Sequence, residues 1–124
     1  MIQPDDRSPD LSVDLPDLLT RLDNDRELFR ELLKIFKEEF PCLLQSLQEV
    51  VVRGDLKGVE VKAHTVKGML ANVSFVRAAA SAARLERMGQ QCVTQGLPEE
   101  LGRLEQEASL ALAELEAYCT EMVR

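Results

Sequence analysis

Asp55-Leu56-Lys57-Gly58-Val59-Glu60-Val61-Lys62-Ala63-His64-Thr65-Val66-Lys67-Gly68-Met69-Leu70-Ala71-Asn72-Val73 decides the fold. Its apolar residues Leu56, Val59, Ala63, Val66, Leu70 and Val73 recur in steps of three and four, the interval that lines one face of an α-helix. Asp55, following Gly54, reads as the N-cap. The same stepping returns downstream in Phe75, Ala78, Ala82, Leu85, Gly89 and Cys92, then in Leu97, Leu101, Leu104, Ala108, Ala111, Leu115, Tyr118 and Met122. Upstream it runs through Phe29, Leu33, Phe36, Phe40, Leu44, Leu47 and Val51 in a long helix from about Asp25 towards Arg53, headed by Asn24 with Glu27 in a capping-box pattern. Pro41 is expected to kink that helix. A shorter helix precedes it from Leu15 to Leu22, with Pro16 tolerated in its first turn. No alternating polar and apolar run and no Asn-Gly or Asp-Gly hairpin occurs, so strands are not expected.

The connections Arg53-Gly54-Asp55, Asn72-Val73-Ser74 and Thr94-Gln95-Gly96-Leu97-Pro98 are short, which makes consecutive helices antiparallel neighbours. The expected architecture is all-α: an antiparallel up-down four-helix bundle with a short additional N-terminal helix. At 124 residues the chain fits one domain. Residues 1–12, with Pro4, Pro9 and no periodicity, read as a flexible tail or linker remnant, and residues 13–124 as the bundle.

A net charge of −7 repels nucleic acid and anionic membrane surfaces, so neither is an expected partner. Cys42, Cys92 and Cys119 are odd in number and far apart, which predicts reduced thiols in the core of a cytoplasmic protein, with neither a disulfide framework nor a zinc site. No stretch is apolar enough to span a bilayer and no leader is evident. A membrane-anchored parent, of which this would be the cytosolic end, stays compatible with that. A single histidine cannot build a multi-histidine metal site, and carboxylate-bridged metal bundles need inward ligands on several helices, so no metal and no enzyme of that kind is expected.

That histidine, His64, carries the functional reading. With the core stripe through Ala63 and Val66, the flank holds Glu60, His64, Lys67, Gly68 and Ala71. An imidazole has a useful population of unprotonated nitrogen near neutral pH and attacks phosphorus without a dedicated base. Lys67, one turn on, offers a mobile ammonium to phosphoryl oxygens. Gly68 costs a helix interior roughly 0.5 to 1 kcal/mol against alanine and clears space beside the ring. Taken singly, His64 is better explained as a solvated or packing residue and Lys67 as an ordinary surface cation. Glu86 and Gln90, on one flank of the following helix, and Glu60 are candidate hydrogen-bonding neighbours of the ring.

The run Ala63-His64-Thr65-Val66-Lys67-Gly68-Met69-Leu70-Ala71-Asn72-Val73 resembles the motif of histidine phosphotransfer (HPt) domains of two-component phosphorelays. Leu18-Leu19, Leu22-Asp23, Glu27-Leu28, Phe40-Pro41, Gly54-Asp55-Leu56 and Ala83-Arg84-Leu85-Glu86 resemble the family in order and spacing, from about Leu15 to the C-terminus. The resemblance implies the same antiparallel bundle. It also implies that His64 takes a phosphoryl group from a receiver-domain aspartyl phosphate and passes it to another receiver's aspartate or back, without ATP. Lys67 would assist with phosphate charge and Gly68 with access. No Gly-rich nucleotide loop is present, and no acidic cluster suits Mg²⁺, so the chain is no kinase, has no intrinsic cofactor, and takes its Mg²⁺ from the receiver. The expected protein is a monomer serving receivers, either free or in cis with a hybrid sensor kinase. The rival is a helical adaptor that docks a receiver and is never phosphorylated.

Two residues depart from the family pattern: Ser74 stands where glycine is frequent, with Asn72 or a Ser74 cap as the expected substitutes, and Met69 replaces a small residue. Leu28, Leu32 and Ile35 widen the apolar stripe of the long helix. The short helix, through Leu15, Leu18, Leu19 and Leu22, is expected to cover most of that strip. The remainder, with Leu18, Leu22, Leu28, Leu32 and Ala71, is the expected docking surface for a receiver helix.

Overall fold

The computed structural model describes residues 12–122, and every regular element among them is a helix. In chain order these are α1 (Leu15–Arg21), α2 (Arg26–Arg53), α3 (Leu56–Asn72), α4 (Val76–Gln90) and α5 (Leu97–Met122). Helices α2 to α5 pack in a closed ring, each on the next and α5 back on α2, with α1 as the additional element. The core follows the stripes read from the sequence, except that Cys92 is exposed and the side chain of Met122 lies outside the described part. Val59, Ala63, Val66 and Leu70 of α3, Ala78, Ala82 and Leu85 of α4, and Leu104 and Ala111 of α5 are all withdrawn from water. Phe36 joins the layers, with its ring centroid 4.7 Å from Phe40 and 5.1 Å from Phe75.

The helix ends follow one device. At each of the first four C-termini a residue just beyond the helix adopts a left-handed backbone, the first at α2 and the second at α1, α3 and α4, and its amide and the next one bond back into the last turn. At α3 these are Ser74 N to Ala71 O (3.0 Å) and Phe75 N to Leu70 O (3.0 Å), a Schellman closure. Only at α2 is the left-handed residue glycine, Gly54 with φ 69°; elsewhere it is Asp23, Ser74 or Cys92, each at φ 57°. Ser74 thus takes the strained conformation itself, where Asn72 or a Ser74 N-cap had been expected. Its hydroxyl donates to Asp17 Oδ2 at 2.8 Å, and α4 starts at Phe75 without a side-chain cap. The predicted cap of α2 moves by one residue: Asn24 is left-handed, and Asp25 accepts from Glu27 N and Leu28 N. Helix α2 runs on through the exposed Pro41.

Two further expectations change. Residues 1–11 lie outside the described part, but Ser12, assigned to the tail, is 1% exposed and its N–H donates to Glu114 Oε1 at 3.0 Å. The folded part therefore includes Ser12, because α5 supplies an acceptor for the backbone entering α1. Two of the three thiols are not core groups: Cys42 and Cys92 are exposed, whereas Cys119 is partly buried and packs against the core. Cys92 continues the stripe of α4 on paper, yet it falls two residues past the helix end, where the chain has already turned.

Helices α3 and α4 are in intimate contact. A Cβ built on Gly89 would stand 2.7 Å from both Glu60 N and Leu56 O and 3.0 Å from Glu60 Cα, so this glycine lets α4 rest on the α3 backbone.

Candidate functional site

The close contact of α3 with α4 sets the surroundings of His64. The imidazole projects from the middle of α3 with 67% of its side chain exposed. Its Nδ1 is 3.0 Å from Glu86 Oε2 on α4. The other carboxylate oxygen, Oε1, lies 2.6 Å from Lys67 Nζ, one turn along α3 from the histidine. One carboxylate therefore spans both candidate side chains of the neighbouring helix.

Glu86 itself is only 14% exposed. The hydrogen bond from the Lys67 ammonium holds its carboxyl below the ordinary carboxylate range; burial opposes this, and the hydrogen bond with His64 adds to it. Glu86 is thus an anion near neutral pH, acceptor only. The ring nitrogen facing it is accordingly the protonated one, which turns the lone pair of Nε2 outward.

Of the expected neighbours of the ring, Glu86 alone touches it. Glu60 pairs with Lys57 at 3.3 Å, and Gln90 is exposed with no hydrogen bond to His64. Lys67 differs from its sequence reading as a free, mobile cation: it is engaged with Glu86. A Cβ on Gly68 would meet nothing within 4 Å, so the absence of a side chain there serves no packing contact inside this chain. Met69 turns inward and packs against the core.

The docking residues separate. Leu18 is 1% exposed and offers no area to a partner, because the inner face of α1 is spent on the core. Leu22 and Leu32 are half-buried against the core, whereas Ala71 is exposed, as are Leu28 at 47% and Ile35 at 40%. Helix α1 thus leaves part of the strip on α2 uncovered. Arg21 Nη1 donates to Ala71 O at 3.3 Å, which ties the end of α1 to the end of the His64 helix. Among the described residues no group of three or more His, Cys, Asp or Glu side chains could hold a metal ion, and no helix is long and apolar enough to cross a membrane.

The fold is similar to that of histidine-containing phosphotransfer protein B (HptB) from Pseudomonas aeruginosa PAO1, with a TM-score of 0.82 over 92% of this chain and 97% of that one, at 21% sequence identity. No curated protein sequence matches significantly. The Hpt domain profile matches residues 31–122, a span that contains His64, Lys67, Gly68 and Glu86. With most of its length so matched, the chain belongs to the Hpt domain family.

Proposed function

We propose that this protein is a phosphorelay carrier in which His64 Nε2 accepts the phosphoryl group of a receiver-domain aspartyl phosphate and returns it to a receiver aspartate. The observation that carries the reading is the 67% exposed imidazole whose Nδ1 is occupied by Glu86, leaving Nε2 free and outward. Family membership and the likeness of fold to HptB support it. Attack by Nε2 forms the N–P bond as the P–O bond to the aspartate breaks, and the aspartate leaves as carboxylate.

Phosphoryl transfer needs alignment and neutralised oxygens more than covalent assistance. Lys67 supplies the cation on this side, and Mg²⁺ comes with the receiver. Gly68 leaves the approach beside the ring open, and the uncovered strip at Leu28 and Ile35, with Ala71, receives the receiver's apolar helix. ATP has no part in the reaction. An adaptor that only docked would need none of His64, Lys67 and Gly68.

The test is incubation with a phosphorylated receiver, followed by acid and base treatment of the labelled protein. The label should be acid-labile and base-stable. In His64→Gln it should vanish with helical content intact; uptake by that variant would overturn the assignment.

A further inference from the structure

We propose that the seam between α2 and α5 is a second docking surface, which takes an acidic amphipathic helix of a partner protein and leaves the His64 flank free. Of the four seams in the ring, this one is the most sparsely packed. Beside the first half of α2 it opens into a hollow of about 460 Å³. Leu33 and the half-buried thiol of Cys119 give the hollow an apolar lining, and Arg30, Lys34 and Lys37 give it a cationic edge.

Those cations belong to a stripe. Arg26, Arg30, Lys34 and Lys37 follow one another in steps of four, four and three, which sets them on one flank of α2, about 6 Å apart for each step of four. Lys37 is held by Glu116 of α5 at 2.7 Å, and Glu38 is the one acid that lines the hollow with them. Among the described residues, Arg26, Arg30 and Lys34 form no ion pair. With 22 acidic against 15 basic side chains the chain has carboxylates to spare, yet these three cations face water.

The charge pattern selects the occupant. Carboxylates four residues apart on a helix repeat at the interval of the cations, and an apolar face beside them covers Leu33 and Cys119, the mode of a helix laid in a groove. The net charge of −7 repels extended polyanions at long range. A short segment with its acids confined to one edge is therefore favoured over a nucleic acid or an anionic bilayer. Leu28 and Ile35 lie roughly 100° to 160° round α2 from Arg30 and Lys34, so the seam and the uncovered strip accept separate partners at the same time.

The probe is a synthetic helical peptide of about five turns, with Glu at every fourth position along one edge of a leucine face. Titrated into the ¹⁵N-labelled full chain, it should shift amide signals of α2 and α5 around Arg30, Lys34 and Cys119. It should also slow alkylation of Cys119 and leave Cys42 and Cys92 unprotected. Combining Arg30→Glu with Lys34→Glu should weaken binding about tenfold and favour a lysine counterpart of the peptide. Both side chains are exposed, and circular dichroism checks that the fold is kept. His64→Gln should bind the peptide as the wild type does, so failure of the carrier reading is told apart from failure here. No binding at millimolar peptide, equal binding of a scrambled peptide, unchanged affinity in the double variant, or shifts centred on the His64 flank would overturn the proposal. Sedimentation equilibrium of the protein alone tests a second copy as occupant: self-association abolished by the double variant would assign the seam to that copy and overturn the proposal too.

Discussion

Gly68 and Gly89 lie in neighbouring helices, and the same substitution at each should move stability in opposite directions. Gly68 sits in the interior of α3, where alanine is favoured over glycine by roughly 0.5 to 1 kcal/mol, whereas Gly89 is the next-to-last residue of α4, where that gain is smaller. At Gly68 the new methyl meets nothing within 4 Å, so Gly68→Ala keeps the whole gain and should raise the melting temperature by about 3 °C. At Gly89 the methyl lands 2.7 Å from Glu60 N and Leu56 O, backbone atoms that no rotamer change can move. Forced separation of packed elements costs about 1 to 3 kcal/mol, towards the upper end here, which leaves Gly89→Ala destabilised by about 2 kcal/mol. Urea denaturation followed by far-UV circular dichroism, with equal m-values required, measures both. Phosphoryl uptake from a receiver completes the comparison: Gly68→Ala should be the more stable protein and the slower acceptor, and Gly68→Gln should be blocked, on the order of 100-fold. Loss of stability in Gly68→Ala, or unchanged transfer in Gly68→Gln, would refute the account of Gly68 as space kept clear for a partner.

Lys67→Ala should slow transfer by about 10- to 100-fold, the worth of one charge-assisted contact, while receiver affinity measured by calorimetry stays nearly constant; equal losses in both would make Lys67 an interface residue. Cys92→Gly should stabilise the fold by about 0.5 to 1 kcal/mol, since it relieves an exposed left-handed residue at φ 57°, and thermal denaturation under reducing conditions would register it. The lowered carboxyl pKa of Glu86 makes its contribution to stability complete above the ordinary value of 4.5 and lost as pH falls through the folded-state value. The stability difference between wild type and Glu86→Gln, below about 1 kcal/mol because Lys67 and His64 are partly exposed, should therefore close in acid denaturation series.

Much of this molecule is legible in the period of its apolar residues. Val59, Ala63, Val66 and Leu70 place His64, Lys67 and Gly68 on an outer flank without reference to any other helix, because a helix fixes the angle between its own side chains. Properties that depend on two elements are harder. The spacing of α2 cannot say how far α1 covers it, so Leu18 reads equally well as surface or core and proves to be core. Periodicity also does not mark where a helix stops: Cys92 keeps the step of α4, yet stands beyond its end in a left-handed corner. Ser74 conceals the same corner after α3, since nothing in a serine announces a positive φ; the Asp17 carboxylate that receives its hydroxyl comes from α1, far off in sequence.

The choice among Glu60, Glu86 and Gln90 as partner of the imidazole turns on the rotation and register of α4 against α3, and one glycine carries both. At Gly89 the two helices lie in close contact, with the Glu60 and Leu56 backbone of α3 directly beneath it. The helices are antiparallel, so stepping three residues back along α4 to Glu86 corresponds to stepping about one turn forward along α3, from Glu60 to His64. Residues three apart also share a face, so a helix that turns Gly89 towards α3 must turn Glu86 towards it as well. Gln90, next to Gly89, is rotated away by about 100° and is exposed. The carboxylate can therefore bridge Nδ1 and the Lys67 ammonium only while a residue without a side chain occupies position 89. It follows that Gly89→Ala, beyond its cost in stability, should lengthen both Glu86 contacts and slow phosphoryl uptake from a receiver, as Glu86→Gln should.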